Sequence, residues 1–229
     1  MAHPDAQLET DRLLADLAGH SARGGALMIV SDGAQLVLGL VSTVVLARIL
    51  APSDFGLVAI VVSITALVSA VRDFGLPMAT VQRLSVTHAE LSALFWLNLK
   101  LTALVALMLT ALAPAIAWFY GDSQLTGITL VMTVGIFIMG LSTVHMGLLM
   151  RQMRFGAITG IETCGAAAGV VSGIVAALLG TGFWALVLQQ LTTNVTTGAA
   201  LWLISRWRPG PPPRASGVCE TDQEGVRST

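Results

Sequence analysis

Long apolar runs separated by short polar connections occupy most of this chain. An α-helix needs about 20 apolar residues to cross the roughly 30 Å hydrocarbon core of a bilayer, and six runs approach or exceed that length. They cover residues 26–46, 55–71, 101–119, 125–149, 157–179 and 183–205. The second run is the shortest. The pattern predicts an all-α protein, a polytopic membrane helix bundle of about six transmembrane helices.

The chain is polar on both sides of these runs. Residues 1–24 carry acids, histidines and a proline, without the basic start and short apolar stretch of a cleaved signal peptide, so we expect the first helix to be retained. Residues 209–229 begin with a proline-rich stretch and have no apolar periodicity. The predicted organisation is a cytoplasmic N-terminal segment over 1–24, a six-helix lobe over 25–208 and a disordered polar tail over 209–229.

Composition supports a bilayer as the solvent. Hydrophobic residues make up 55% of the 229 residues, charged residues only 11%, and the mean hydropathy is +0.79. A water-soluble globule of this size needs more charged surface. The net charge of −1 argues against a nucleic-acid partner, which requires a basic face. Cys164 and Cys219 have neither the spacing of a metal site nor the setting of a disulfide.

Basic residues are sorted to one side of the membrane if there are six helices. The positive-inside rule then places both termini in the cytoplasm, with Arg48 alone on the opposite side. The residues on the cytoplasmic side are Arg12, Arg23, Arg72, Arg83, Lys100, Arg151, Arg154, Arg206, Arg208, Arg214 and Arg227.

Ionisable groups inside membrane helices are functional candidates because a charge is costly to bury in lipid. Asp32 either lies inside the first helix or, with Ser31, caps its start. Lys100 can reach the cytoplasmic surface with its long stem from the start of the third helix. His145 and Glu162 either face a central cavity or are hydrated near the membrane edge.

The sixth run carries a polar stripe. Gln190, Asn194 and Thr197 recur at helical spacing, and Gln189 and Thr193 adjoin them. Such a stripe must avoid lipid. It either lines a water-filled path for glycan hydroxyl groups or bonds to a neighbouring helix.

Small residues form a ridge on the fifth predicted helix. Gly165, Gly169 and Gly173 recur at every fourth position, and Ala177 continues the series. Such a ridge permits close contact between helices. The contact is either packing inside this bundle or an interface between two lobes or two copies.

Arg151 and Arg154 lie in the connection between the fourth and fifth predicted helices. Guanidinium groups bind phosphate with two parallel hydrogen bonds, so these residues are candidates for contacting the phosphates of a lipid-linked substrate. The orientation rule alone also accounts for them. We find no sequence pattern of catalytic residues, cofactor binding or metal ligation, and therefore expect no enzyme activity, cofactor or metal site.

Six short segments follow one another at characteristic spacing. They are residues 46–56 (LARILAPSDFG), 72–76 (RDFGL), 95–98 (FWLN), 118–122 (WFYGD), 151–155 (RQMRF) and 184–187 (WALV). Ser53 or Asp54 is expected to cap the second helix, and Gly75 to end it. Together the segments resemble the polysaccharide-transporter branch of the MOP (MATE-like) superfamily, relatives of the O-antigen and colanic-acid flippases of lipopolysaccharide biosynthesis. The resemblance runs over about residues 25–208.

The resemblance implies a protein of the bacterial inner membrane that carries a polyprenyl-diphosphate-linked glycan by alternating access between two six-helix lobes. This chain corresponds to the N-terminal lobe, so a second lobe or a homodimer is expected as partner. A non-transporting accessory protein or an inactive fragment is the alternative. Arg48, Arg72 and Asp73 occupy recognisable positions of this family. Together with the polar residues of the first and sixth predicted helices, the substrate-path candidates are Asp32, Arg48, Arg72, Asp73, Gln190 and Asn194.

Overall fold

The chain forms a bundle of helices in a computed structural model that describes residues 4–73 and 88–211, with side chains described over 28–67 and 90–211 and at Gly25 and His88. Within these residues all regular structure is helical. The helices are α1 (Pro4–Ile49), α2 (Pro52–Asp73), α3 (His88–Tyr120), α4 (Gln124–Arg151), α5 (Phe155–Leu178) and α6 (Trp184–Ser205). The predicted all-α membrane bundle is confirmed.

Helix length and composition fit a bilayer. Among the described residues, four segments are long and apolar enough to cross a membrane: Met28–Ile49 of α1, Glu90–Tyr120 of α3, and the whole of α4 and α5. The apolar stretch Pro52–Leu67 of α2 is shorter. The 22 residues of α6 include its glutamines, asparagine and threonines, which lower its hydropathy. These polar groups therefore need partners within the protein or access to water.

The helices pack in a row with α6 at its centre. One side of α6 contacts α5 and another contacts α4. Helix α1 lies against α5 and α3 lies against α4, so the row runs α1, α5, α6, α4, α3. Helix α2 packs mainly on α4. The residues of α6 are consequently divided among different neighbours, and this division positions the candidate site.

The two ends of the bundle differ in charge. Arg151 ends α4, Arg154 precedes α5, and Arg206 and Arg208 follow α6. The ends of α4 and α6 and the start of α3 share one apolar cluster, which includes Phe95, Val144 and Trp202. These elements therefore meet at one end of the bundle, called here the arginine end. Arg48 closes α1 at the opposite end. Which end faces the cytoplasm stays a prediction.

Two helices extend beyond the predicted apolar runs. Helix α3 begins at His88, thirteen residues before the predicted start at 101, so Lys100 lies inside the helix as an exposed side chain and not at its start. Helix α1 is continuous from Pro4, so the suggestion that Asp32 caps its start is wrong and the alternative, a position inside the helix, holds. Hydropathy detects the part of a helix that suits lipid, whereas backbone hydrogen bonding continues the helix into polar sequence.

Ser53 and Asp54, expected to cap α2, lie in its first turn, and Asp54 bonds back to the residue before the helix. Its Oδ2 accepts a hydrogen bond from the backbone N–H of Ala51 at 3.3 Å, and Pro52 is the first helical residue, where its missing N–H costs nothing. Gly75, expected to end α2, and the tail from residue 212 lie outside the described residues.

Candidate functional site: the polar face of α6

The polar stripe of α6 forms two rows with different neighbours. Gln189, Thr193 and Thr197 face the glycines of α5. Gln190 and Asn194 lie beside this row and do not enter the α5 contact. The sequence left two alternatives open for the whole stripe, a glycan path or bonding to a neighbouring helix, and packing divides the stripe into two rows.

The first row fits against the glycine ridge. A Cβ atom added at Gly165 would collide with the Thr197 hydroxyl, and one added at Gly169 would collide with the Thr193 hydroxyl. A Cβ at Gly173 would lie 2.8 Å from the Gln189 Cβ and Oε1 atoms. The three glycines are thus in contact with α6 within this bundle, where the absence of side chains lets the two helices approach closely.

A hydrogen bond ties the same row to α1. Ser42 is buried, and its Oγ donates to Gln189 Oε1 at 3.0 Å. Thr193 Oγ1 donates to the Gln189 carbonyl within α6 at 3.0 Å. Gln189 therefore contacts α1 and α5 at once, and this row holds three helices together.

The second row consists of the amide side chains of Gln190 and Asn194. Gln190 Nε2 donates to Asn194 Oδ1 at 3.2 Å, Gln190 is exposed, and Asn194 is half-buried. Asn194 packs on α4 at Gly135, where an added Cβ would lie 2.6 Å from Asn194 Nδ2. Amides offer neutral donors and acceptors of hydrogen bonds. This pair can bond to sugar hydroxyls or water without placing a charge in the membrane.

Asp32 belongs to a separate polar contact, between α1 and α5. Ser31 Oγ lies 3.1 Å from Thr163 Oγ1, and Gln35 Nε2 donates to Ser31 Oγ at 3.4 Å. Asp32 is exposed on α1, and the half-buried Glu162 of α5 is near enough to interact with its charge. Among the described residues, Asp32 interacts with Glu162 and not with the Gln190 and Asn194 pair.

The remaining charged candidates lie at the helix ends. Arg151 and Arg154 are both exposed at the turn between α4 and α5, close together in the chain at the arginine end. Arg48 is exposed at the opposite end. Arg72 and Asp73 are the last residues of α2, and their side chains lie outside the described residues. The candidates therefore do not form a single cluster within the described part of the chain.

Sequence reasoning gave no role to Asn98 and Thr102 of α3. Both are buried, and Asn98 Nδ2 donates to the Gly140 carbonyl of α4 at 2.6 Å. Thr102 packs against the same glycine, so that a Cβ at Gly140 would lie 2.9 Å from the Thr102 Cβ. The sequence signal that could have identified them is the spacing of the two polar residues by about one helical turn within an apolar helix, which is typical of a contact with a neighbouring helix.

The sequence predicts that His145 either faces a central cavity or is hydrated near the membrane edge, and both predictions are wrong. Its side chain is fully buried, with 0% exposure, among aromatic rings of α3, α6 and the segment that follows α6. The apolar residues that surround it are distant in sequence. Their convergence on one imidazole depends on how α3, α4 and α6 pack.

Comparison with known proteins gives the family. The chain matches the family described as polysaccharide biosynthesis protein over residues 45–221. It belongs to that family. The resemblance seen in the sequence segments is thereby confirmed, and this member of the polysaccharide biosynthesis family is an all-helical membrane protein.

Relatives include biosynthesis and transport proteins of several bacteria. The lipopolysaccharide biosynthesis protein WzxC of Escherichia coli is 28% identical over 167 residues, which cover 73% of this chain and 33% of that protein. The succinoglycan biosynthesis transport protein ExoT of Rhizobium meliloti is 27% identical over 181 residues, 79% of this chain and 37% of the relative. The teichuronic acid biosynthesis protein TuaB of Bacillus subtilis is 26% identical over 141 residues, 61% and 29% respectively.

The chain spans about a third of the length of these relatives, with the aligned part covering 33% of WzxC and 37% of ExoT. No solved structure matches it significantly. The family match and the apolar helices identify a multi-pass membrane protein of the polysaccharide biosynthesis family.

Proposed function

We propose that this chain is one lobe of a flippase that carries a lipid-linked oligosaccharide across the bacterial inner membrane. Membership of the polysaccharide biosynthesis family supports the coarse assignment, and the transport protein ExoT is among the relatives. The finer assignment is a polyprenyl-diphosphate-linked glycan as substrate. Transport by a path through the protein needs no catalytic group, so the chain acts as a transporter and not as an enzyme.

The observation that carries the proposal is the amide pair of α6, of which Gln190 is exposed and Asn194 half-buried. Gln190 and Asn194 bond to each other, yet Gln190 stays exposed on a helix whose other polar row is engaged with α5 and α1. Exposed amides in contact with lipid are costly, which favours a water-filled or sugar-filled path on this side of α6. Sugar hydroxyls need neutral donors and acceptors, and this pair supplies both.

A complete path requires more surface than the described helices supply. Helix α1 contacts α5 along one side and leaves a row of large apolar residues exposed, including Leu36, Leu40 and Val44. We propose that a second six-helix lobe, on another chain or on a second copy of this one, faces the amide pair and closes the path. The proportion of relatives spanned by this chain supports that requirement.

The alternative function is a non-transporting accessory membrane protein. It is favoured by the internal partners of many polar groups, since Ser42, Gln189 and Asn98 all bond within the bundle. In that case the Gln190 and Asn194 pair also serves packing, and its removal leaves any transport measured in the membrane unchanged.

Transport in proteoliposomes separates these two functions. The chain is reconstituted alone, beside a full-length relative, with a fluorescent polyprenyl-diphosphate oligosaccharide as substrate. Flipping above that of empty vesicles supports a working lobe assembly. Absence of flipping when the relative is active contradicts transport by this chain by itself and favours the accessory function or a missing second lobe.

In an active preparation, the double variant Gln190→Leu with Asn194→Leu is expected to lower the flipping rate about tenfold or more, because each lost hydrogen bond to a sugar hydroxyl costs about 1 kcal/mol. The matched control is Val195→Leu, an exposed apolar position on the same helix that keeps its character. The rate is compared at equal amounts of monodisperse reconstituted protein. An unchanged rate in the double variant counts against the path.

Phosphate binding by the arginine end is a separate prediction. Replacing both Arg151 and Arg154 by alanine is expected to raise the substrate concentration for half-maximal flipping roughly thirtyfold, at about 1 kcal/mol per arginine near an anionic group. The control is Gln152→Ala, a neutral exposed residue of the same turn. Titration of substrate in the same vesicles measures the change. Equal effects of the two replacements contradict a phosphate contact made by the two arginines.

A further inference from the structure

His145 has an unusual environment for a titratable side chain. It is 0% exposed, and neither ring nitrogen has a hydrogen-bond partner. The backbone carbonyls of Leu141 and Trp207 are the nearest acceptors, but neither completes a hydrogen bond of ordinary geometry. The ring stacks on Trp202, with centroids 4.3 Å apart, and meets Phe95 edge to face at 6.4 Å.

The segment that follows α6, residues 206–211, covers this imidazole and is called here the strap. Arg206 has φ 50°, a left-handed conformation that turns the chain back at the end of the helix. Trp207 then lies edge to face with the His145 ring at 5.5 Å. Trp207 also meets Phe95 at 6.1 Å. The strap thus contributes one wall of the aromatic surroundings of His145.

Two hydrogen bonds fasten the strap to α3. The Gly210 N–H donates to Ser92 Oγ at 2.9 Å, and the Gly210 carbonyl accepts from Trp96 Nε1 at 2.9 Å. These two bonds, together with the ring contacts of Trp207, hold the strap against α3.

Arg208 of the strap places a positive charge close to Trp202. Arg208 Nη1 donates to the carbonyls of Trp202 and Trp207, both at 3.1 Å. Its guanidinium carbon lies 5.6 Å from the centroid of the Trp202 ring on which His145 stacks. A cation at His145 would therefore share this ring with a cation of the strap.

We propose that His145 is a proton-binding site, and that proton binding releases the strap from the arginine end. Protonation gives the imidazole a second N–H and a positive charge where the described residues complete no hydrogen bond to it. The charge repels Arg208. Displacing the strap removes that repulsion and lets water reach the ring, so protonation and strap release are coupled.

The neighbouring charged groups fit this assignment. Arg208 of the strap faces the ring, and His88 of α3 meets Trp207 with centroids 5.8 Å apart, where it is the other titratable ring of the cluster. Helices α4 and α6 contain no aspartate or glutamate. Glu90, Arg151 and Arg206 are exposed at the same end, and Lys100 is exposed farther along α3.

The test follows the strap directly and does not depend on transport. Pro211, the exposed last residue of the strap, is replaced by cysteine in a Cys164→Ser and Cys219→Ser background and labelled with bimane, which tryptophan quenches on contact. Residue 211 follows Gly210, which is bonded to Trp96, so the probe is quenched while the strap is closed. The labelled chain in nanodiscs is titrated from about pH 8 to 5, the range in which imidazoles change charge.

The expected result is a severalfold rise in emission on acidification, with the rise abolished in His145→Phe and retained in His88→Gln. Phenylalanine keeps a flat ring in the aromatic cluster and removes both nitrogens. If that variant is not monodisperse, His145→Leu replaces it. An emission that is independent of pH in the parent, a rise that persists without His145, or a rise lost with His88 would each overturn the proposal. Because no substrate is present, the result stands apart from the flippase assignment.

Discussion

Gly169→Val is expected to lower the free energy of unfolding by about 3 kcal/mol, at the upper end of the cost of overpacking a tight contact. A Cβ at this position meets the Thr193 hydroxyl and comes within 2.8 Å of the Gln189 carbonyl. A backbone carbonyl cannot rotate away as a side chain can, so α5 and α6 must separate. Thermal unfolding of the detergent-solubilised protein, followed by tryptophan fluorescence, measures the loss.

The matched control for this prediction is Gly160→Val, one of the other glycines of α5. A Cβ there has no atom within 4 Å, and the position is exposed. Both variants add the same branched side chain to the same helix, so they share the intrinsic cost for helix formation. Equal melting temperatures for the two variants would mean that the ridge does not hold α6.

Gly140→Ala is expected to lower the free energy of unfolding by about 2 kcal/mol, because α3 and α4 are in contact at this position. The added methyl group overlaps the Thr102 side chain, and the Thr102 Cβ lies 2.9 Å away. The helices must then separate, which also stretches the hydrogen bond from Asn98 to the Gly140 carbonyl. The same unfolding measurement applies.

A double-mutant cycle tests the cause of that loss. Thr102→Ala removes the overlapping atoms, and because the Thr102 hydroxyl has no hydrogen-bond partner, its removal costs little by itself. In the double variant, Thr102→Ala should therefore restore part of the stability lost in Gly140→Ala. Gly147→Ala, on the same helix with no atom within 4 Å, is the control. Strictly additive effects would contradict a direct contact between residues 102 and 140.

The two glycine contacts explain how a bundle with polar side chains remains stable in lipid. No hydrophobic driving force operates between helices surrounded by apolar chains, so close packing and interhelical hydrogen bonds must hold them. The contact of α5 with α6 and the contact of α3 with α4 each combine a glycine with a threonine or amide. At the α3–α4 contact, for example, Asn98 is hydrogen-bonded across the interface, whereas the Thr102 hydroxyl beside it contributes only packing.

Several properties of the protein were predictable from its sequence. The apolar runs predicted the all-helical membrane bundle, since hydrocarbon thickness sets the length of a spanning helix and leaves the backbone few alternatives. The order of short segments indicated the family to which the chain belongs. The boundaries were less certain: α3 begins thirteen residues before the apolar run at 101, because hydropathy records burial in lipid and not helix formation.

Only the tertiary structure divided the polar residues among different roles. Gln189 and Gln190 are adjacent and chemically identical, yet one is held between α1 and α5 and the other is exposed beside Asn194. Along a helix, neighbouring residues point about 100° apart, so their environments depend on which helices lie on each side. The burial of His145 could likewise not be predicted from the neighbouring sequence, because the rings that bury it come from three other parts of the chain. The sequence by itself determined that helices form and span; packing between them decided which polar groups are buried and which remain open.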